Sequence, residues 1–527
     1  MLTRRQLLAR IGNAAGGAAM YQAMTALGFA AESPFSGPVK LEGAPRGTRV
    51  LILGAGVAGL VGAYELRKAG YQVKVLEFNH RAGGRAWTLR GGDEFTELGG
   101  AVQRCEFDAG LYINPGPWRL PFHHHGILHY ARMLKVPLEP FIQVNYNAYM
   151  HSTAAFDGKP QRFRHVQTDY QGHVAELLAK AVNQGGLDVA VSAEDKEKLL
   201  ESLKDWGALN AEYRYTAGTE SSLRRGYDVY PGGGLMPAPV PSTPLDPSAL
   251  LQSGLWRNIA AGNEYEHHSA IFQPVGGMDQ VALAIYRQVK DLVQFGAKVT
   301  KINQDANGVS VTYTDNPGPG TTMHTVTADW CLCTIPLSIL SQIDITVGAP
   351  MKEAIDAVPY DASVKIGLQF KRRFWEQDDD IYGGITYTDL PVQILGYPAT
   401  GYGSTGKGVM LGAYIWETQA YEFSSMTPKQ RIDAALKYGA MIHPQYPAEF
   451  DNGIAVAWHR VPFINGCYGL WTDEMRSKHY KDLCQIDGRI VLAGEHASLV
   501  PAWQEGAVLS SLDAISRLHQ RIVASNT

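Results

Sequence analysis

The 527-residue chain is poor in cysteine: five thiols, an odd number, at Cys105, Cys331, Cys333, Cys467 and Cys484. A sparse, odd set builds no disulfide framework, and no C-x-x-C pair occurs. Cys331 and Cys333 share one face of a strand and are too few for structural zinc. They read as small buried hydrophobes. Charge of one sign is also lacking. Only 19% of residues are charged and the net charge is −4, which excludes wholesale binding to nucleic acid or anionic membranes. No segment reaches 18 uninterrupted apolar residues, so no transmembrane span is expected. There are no internal repeats, and 56 glycines with 28 prolines fall short of a low-complexity chain. What remains is a 45% hydrophobic sequence long enough for roughly three to four domains. That describes a soluble multidomain globular protein, most often an enzyme.

The N-terminus reads as an address. Thr3-Arg4-Arg5-Gln6-Leu7-Leu8 is a twin-arginine pattern, followed by a weakly apolar Ala/Gly-rich stretch without acids up to Ala30-Ala31. It resembles a bacterial Tat signal, which exports folded, often cofactor-loaded proteins. Residues 1–31 are therefore set aside as a signal peptide, and a periplasmic or secreted location is expected.

The strongest local pattern follows. Arg49-Val50-Leu51-Ile52-Leu53 reads as a buried parallel strand. It runs into Gly54-Ala55-Gly56-Val57-Ala58-Gly59, a helix from Leu60 to Ala69 closed by Gly70, and a second strand from Gln72 ending at Glu77. This is a dinucleotide fingerprint in its required context. Gly54 permits the tight turn, Gly56 lets backbone approach a pyrophosphate, and Gly59 allows close helix–sheet packing. The helix N-terminus, with Ala55 and Ala58 in the loop around it, offers N–H groups to phosphates. Glu77, 18 residues after Gly59, is placed to bond ribose hydroxyls. An acid there argues against a 2′-phosphate but does not separate NAD from FAD.

Asn79-His80-Arg81-Ala82-Gly83-Gly84-Arg85 resembles the second fingerprint of the flavin amine oxidase superfamily, in which glycines and arginines wrap the pyrophosphate of an extended dinucleotide. Glu97-Leu98-Gly99-Gly100 resembles that family's short loop approaching the flavin. Phe272–Asp279 resembles its entry into the third part of the cofactor domain. By the same resemblance the Val299 backbone faces adenine. Asn307-Gly308 is a hairpin signal, and Trp330–Thr334 another strand. Near the C-terminus, Arg489–Glu495 is a strand ending in Gly-Glu, and Ala502-Trp503-Gln504-Glu505-Gly506-Ala507 opens a final helix aimed at the flavin. The resemblance covers about residues 47–520 and implies FAD, bound without a covalent link.

The implied fold class is α/β: a discontinuous Rossmann-like FAD-binding (GR2-type) domain with a mixed-sheet substrate domain and a helical domain. Residues 47–90, 272–345 and 484–520 are assigned to FAD binding, 91–164 and 346–483 to the substrate domain, and 165–262 to the helical domain. Tyr227–Pro247, rich in glycine and proline, reads as a long loop.

Within the family, Gly116-Pro117-Trp118-Arg119-Leu120-Pro121 resembles the L-amino acid oxidase motif whose arginine holds the substrate carboxylate. A planar guanidinium suits a bidentate carboxylate clamp. Tyr414 stands where that group carries a carboxylate-binding tyrosine, with Tyr397 as a rival. Ala502 aligns with a backbone carbonyl, and Trp503 with an indole, that receive the amino group and side chain. Lys365, inside the apolar run Ser363–Phe370, is the catalytic candidate. A lysine is rarely buried unpaired, and the family holds a water beside the flavin with one here. His123-His124-His125 looks like a metal tract but shows no further ligand, so no metal is expected; His267-His268 has less support still. Cys467, in Asn465-Gly466-Cys467-Tyr468, resembles the stretch of monoamine oxidases in which a cysteine bonds to the flavin; it is read here as a small unattached residue.

The resemblance implies oxidative deamination of L-amino acids to 2-oxo acids, ammonium and hydrogen peroxide, with oxygen as co-substrate. An L-amino acid 2-monooxygenase, an amine oxidase or a dehydrogenase on the same scaffold stays open, as does a catalytically silent flavin-binding module. A homodimer is compatible with this reading, and the side-chain preference of the substrate is not legible.

Overall fold

A computed structural model describes residues 34–186, 192–267, 270–315 and 321–526. The twin-arginine segment lies outside the described residues, so the expected signal peptide has no structural counterpart here.

Apolar runs such as Val50–Leu53 and Trp330–Cys333 are buried from end to end because helices and loops cover both faces of their sheet. That sheet has six strands in the order Val293–Gln294, Gln72–Leu76, Arg49–Leu53, Trp330–Cys333, Ile490–Leu492 and Ile486–Asp487. The first five run parallel, and Ile486–Asp487 turns back antiparallel. Strand order reverses between Arg49–Leu53 and Trp330–Cys333, where Leu51 is registered with Cys331. In doubly wound sheets a ligand crevice opens beyond the strand ends at such a reversal. Here Gly54, Glu77, Thr334 and Gly494, each just past the end of a parallel strand, line one cavity. Cys331 and Cys333 are fully buried beneath it, as hydrophobes.

Helix Val57–Ala69 packs back onto the sheet and ends at Gly70, whose φ of 101° lets its N–H donate to the carbonyls of the last turn. The C-terminal helix Gln504–Asn526 lies against it, and Ser511 Oγ donates to Ala58 O at 2.7 Å. Strands Lys298–Gln304, Val309–Thr314 and Met323–Ala328 form a meander. Its Asn307-Gly308 turn is held by Asp305, whose carboxylate accepts from both backbone N–H groups.

A second sheet of seven strands is mixed: Gln161–Arg162, Tyr149–His151, Gly384–Thr388, Ile394–Tyr397, Gly408–Trp416, Ser363–Phe370 and Phe450–Ala457. All eight residues of Ser363–Phe370 are buried because strands flank it and material covers both faces. Lys365 is paired directly with Tyr414 across this sheet. Residues 163–262 are mainly helical, with Phe163–Asn183 and Ala193–Gly207 packed together. Ser192 caps the second of these by accepting from Asp195 N.

One expectation is corrected. Tyr227–Pro247 is not an unbroken loop: Tyr227–Val229 pairs with Val240–Pro241, and Pro247 already begins the helix Pro247–Ser253. Pairing satisfies backbone groups that a long excursion would leave to water, and the glycines and prolines gather at the hairpin's connection. Among the described residues no helix is long and apolar enough to cross a membrane.

Candidate active site

A cavity of about 570 Å³ runs from the glycine loop after Arg49–Leu53 to a cluster of aromatic rings around Arg119. At the first end a dinucleotide cradle is built from backbone. A Cβ on Gly59 would fall 1.9 Å from the Gly54 carbonyl oxygen, so only glycine lets helix and strand approach this closely. Gly54 has φ 104°, and its Cβ would strike Thr334 Oγ1 at 2.6 Å. At Gly56 a Cβ would meet nothing within 4 Å; the open space it would enter is the cavity. No side chain caps the N-terminus of helix Val57–Ala69 there, which leaves the positive end of its dipole for an anion.

Glu77 is buried at the cavity wall and held in place by three donors: Ala55 N at 2.6 Å, Asn79 N at 2.8 Å and Asn79 Nδ2 at 3.0 Å. Ala55 thus serves the cradle by fixing the acid. Gly83, Gly84 and Arg85 line the cavity beside Gly56, as do Ala58 and Val299. Arg85 Nη1 pairs with Glu495 at 2.6 Å and donates to the Cys467 carbonyl at 2.9 Å. Burial alone pulls the Arg85 pKa down, but Glu495 reverses this and raises it. Glu495 also accepts from Gly469 N and Ala502 N, both at 3.2 Å. It therefore ties three segments together at the flavin end. Gln504, at the start of the final helix, is buried against the cavity with neither side-chain polar atom partnered. A buried amide left with open donor and acceptor suits a polar ring system lying against it. The glycine cradle, the clamped acid and this open amide all fit an extended dinucleotide.

At the other end Trp118, Tyr414, Trp416 and Trp503 wall the cavity around Arg119. The guanidinium carbon lies 5.5 Å from the Trp118 ring and 5.7 Å from the Trp503 ring. Burial lowers the Arg119 pKa. Its Nη2 donates to His267 Nε2 at 2.5 Å, and His267 Nδ1 lies 2.7 Å from Glu264, completing a chain Arg119–His267–Glu264. Arg119 Nε has no partner. Among the described residues no carboxylate lies within ion-pair distance of this guanidinium. Ala502 adopts φ 67°, the left-handed region that non-glycine residues avoid, at the point where Trp503 enters the wall.

Lys365 sits behind this wall. Its Nζ donates to Gly116 O at 2.5 Å and Asn114 O at 3.3 Å, and lies 4.1 Å from the Tyr414 ring centre. Burial lowers its pKa to about 7. An ammonium has three donors; two are taken by these carbonyls and one remains. Tyr414 and Tyr397 are placed differently. Tyr397 lies in the core, bonded to Thr386 Oγ1 at 2.8 Å and His443 Nε2 at 2.7 Å, whereas Tyr414 lines the cavity.

Three expected cofactor residues are placed elsewhere. Gly99 and Gly100 lie in the exposed connection between strands Glu94–Thr96 and Val102–Arg104, and do not line the cavity. Their neighbour Glu97 points inward to a buried pair with Arg431, so this hairpin is anchored away from the flavin end, and Gly116–Arg119 approaches the cavity in its stead. Glu505 turns from the cavity to the helix His125–Met133, accepting from Gly126 N at 2.9 Å and Ile127 N at 2.8 Å. Two unpaired N–H groups at a helix start attract a carboxylate more strongly than a neutral cavity does. Sequence reading also missed Gln143, Tyr387 and Glu264 and gave His267 little weight; all four line the cavity. Nothing local marks them, since they arrive on three separate segments.

The triple histidine divides. His125 begins the helix His125–Met133, while His123 and His124 turn inward to Glu266, a ligand-type partner that the linear sequence did not reveal.

A family model for flavin-containing amine oxidoreductases matches residues 57–518. The chain belongs to this family. Its cofactor is accordingly FAD, for which the cradle above is built. YobN of Bacillus subtilis (strain 168), named as a candidate L-amino-acid oxidase, is 28% identical over 479 residues, covering 88% of this chain and 93% of that protein. The L-amino-acid oxidase of Siganus canaliculatus is 27% identical over 492 residues, 90% of this chain and 85% of its own. Among solved structures, cyclohexylamine oxidase from Brevibacterium oxydans IH-35A aligns with a TM-score of 0.59 at 17% identity, covering 90% of this chain and 99% of that one. Putrescine oxidase bound to putrescine aligns at 0.56 and 18%, with the same coverage. These two likenesses establish the shared α/β amine oxidase fold.

Cys467 lines the same cavity. Burial pushes its thiol up to about 11 despite Lys365 and Arg85 nearby, so it stays protonated at neutral pH. The thiolate is the reactive form, and a noncovalent flavin is expected. After acid precipitation the yellow colour should remain in the supernatant; a yellow pellet with flavin mass on the Cys467 peptide would contradict this.

Proposed function

We propose that this chain oxidatively deaminates L-amino acids to 2-oxo acids and ammonium, reducing oxygen to hydrogen peroxide. The observation that carries the reading is Arg119: a half-buried guanidinium lining the cavity, with its Nε unpartnered and no carboxylate within ion-pair distance among the described residues. Buried charges are paired in folded proteins, so the missing anion is one that the substrate brings. A primary amine without a carboxylate would leave this cation unpaired.

FAD, which Gly56, Glu77, Gly84, Arg85 and Gln504 would hold, would supply the hydride acceptor and the redox link to oxygen. The chain's own part is positioning. Arg119 holds the carboxylate through its free edge, with the Tyr414 ring beside it. The Trp118, Trp416 and Trp503 rings exclude water and flank the side chain. Lys365, braced by Gly116 O and Asn114 O behind the Tyr414 ring, keeps one donor for a water, and its charge would favour anionic character in oxygen reduction or assist water attack on the imino acid. The same reading assigns the three discontinuous segments around 47–90, 272–345 and 484–520 to FAD, and the twin-arginine start supports export to the periplasm or beyond.

The test is a panel of twenty L- and D-amino acids together with putrescine and cyclohexylamine, followed by peroxide, oxo-acid and amide detection. Turnover confined to L-amino acids with peroxide and oxo acid in equal amounts is expected. Amide product would indicate a monooxygenase, and oxidation of the amines alone would overturn the carboxylate reading.

Lys365→Met is expected to slow flavin re-oxidation or imine processing by about 10²-fold, the scale of losing one aligned charge or donor, while FAD stays bound. The pH dependence has a defined sign. The folded-state pKa is lowered from 10.5 to about 7, so the lysine is charged below pH 7 and neutral above it. The affected half-reaction should therefore weaken as pH rises through about 7 in the wild type and show no such step in the variant. The buried charge also costs stability at low pH. Between about 7 and 10.5 the unfolded chain holds more protons, so this cost fades as pH rises. Stopped-flow traces across pH 6–9 check the kinetic part; unchanged traces in both half-reactions would leave Lys365 a purely structural residue.

A further inference from the structure

We propose that His123, His124 and Glu266 form a binding site for one divalent transition-metal ion of the zinc class, which fastens the segment carrying Glu264 and His267 to the chain behind Trp503. The donors come from two stretches far apart in sequence. His123 and His124 lie between strand Leu120–Pro121 and helix His125–Met133, and both are buried. Glu266 lies in the turn after the 3₁₀ segment Leu255–Gly262, with about a third of its side chain exposed. His123 Nε2 is 3.1 Å and His124 Nε2 2.8 Å from the same oxygen, Glu266 Oε2. All three donor atoms lie within 4.8 Å of one another.

The chemistry of the set is that of zinc. Two imidazole nitrogens and a carboxylate are a common three-residue zinc set, and they leave the fourth tetrahedral position to water. With metal–ligand bonds of about 2.0–2.1 Å, neighbouring tetrahedral donors stand roughly 3.3–3.4 Å apart. The present separations to Glu266 are those of hydrogen bonds, a few tenths of an ångström shorter. Glu266, the exposed member, has room to retreat by that amount, whereas the two histidines are held by burial.

The position gives the ion a consequence. Glu266 is the immediate neighbour of His267, which bonds Arg119. The His124 ring meets Trp503 edge-on, with centroids 5.0 Å apart. A metal at this point would pin one side of the aromatic cavity to the other without touching the flavin end. Its binding does not depend on which substrate the cavity takes, so it is measured with no amino acid present.

The experiment uses the FAD-loaded enzyme without a histidine tag. The protein is stripped with EDTA, dialysed against micromolar zinc chloride, and assayed for bound metal by mass spectrometry and for unfolding temperature. One zinc per chain is expected in the wild type, with a zinc-dependent rise in unfolding temperature of several degrees. Glu266→Gln, at a partly exposed position where folding is tolerant, should lose both the bound ion and the rise; His124→Gln should do the same. No bound zinc in the wild type, or equal zinc in the wild type and Glu266→Gln, would overturn the proposal and leave the three side chains as a hydrogen-bonded cluster only.

Discussion

Arg119→Ala is expected to lose about 2–5 kcal/mol of transition-state binding to L-amino acids, roughly 30- to 5,000-fold in kcat/KM. The loss is large because the guanidinium is half-buried between the Trp118 and Trp503 rings, which limit the water that could replace it. Truncation leaves the incoming anion without its cationic partner, beside the His267 imidazole and Glu264. FAD content should be unchanged, since the cradle lies at the other end of the cavity. Arg119→Lys should recover little, because an ammonium cannot match two carboxylate oxygens at once. Steady-state kinetics with flavin occupancy measured on the same samples decides the matter. Wild-type kcat/KM in Arg119→Ala would remove the carboxylate clamp from the mechanism.

Glu97→Ala is expected to cost about 3–5 kcal/mol of stability, as removing one member of a buried ion pair does. Glu97 receives both terminal nitrogens of Arg431, at 2.7 and 2.8 Å, and the backbone N–H of Ala457 at 2.8 Å. The pair is essentially inaccessible, with Arg431 at 0% and Glu97 at 3% side-chain exposure. Arg431 also donates to Phe423 O and Ser424 O, so it cannot swing out to water when its partner goes. A lower urea midpoint is therefore expected, with near-normal turnover in whatever enzyme stays folded. Replacing both partners together by methionine should restore much of the loss, because no orphaned charge then remains. A single variant as stable as the wild type would show that the guanidinium finds other neutralisation.

These two residues mark the limits of sequence reading here. Arg119 lines the cavity, and its neighbours, the glycine and prolines of residues 116–121, set it in a recognisable local pattern. Glu97 stands in an equally suggestive pattern, Glu-Leu-Gly-Gly, yet its hairpin turns the glycines to solvent and the acid to Arg431. Spacing alone does not separate the two outcomes, since the deciding partner lies 334 residues away. Glu505 failed likewise: the start of helix His125–Met133 claimed its carboxylate. Tyr414 and Tyr397 were indistinguishable by residue type, and only the packed structure puts Tyr397 in the core and Tyr414 at the cavity.

The sequence by itself determined what depends on short-range geometry. The glycine loop, the acid after the second strand, the caps and the apolar runs all follow from local sterics and from burial on two faces, and these lie within a few residues of one another. Tertiary structure alone decided what depends on convergence. It turned Lys365 from an odd residue in a strand into a cation with a pKa near 7 behind the cavity wall, because the surrounding sheet strips it of water. It brought His267 and Glu264 to Arg119, and Glu266 to His123 and His124, across more than a hundred residues. Desolvation and the meeting of charges are properties of the packed interior, and no window of sequence contains them.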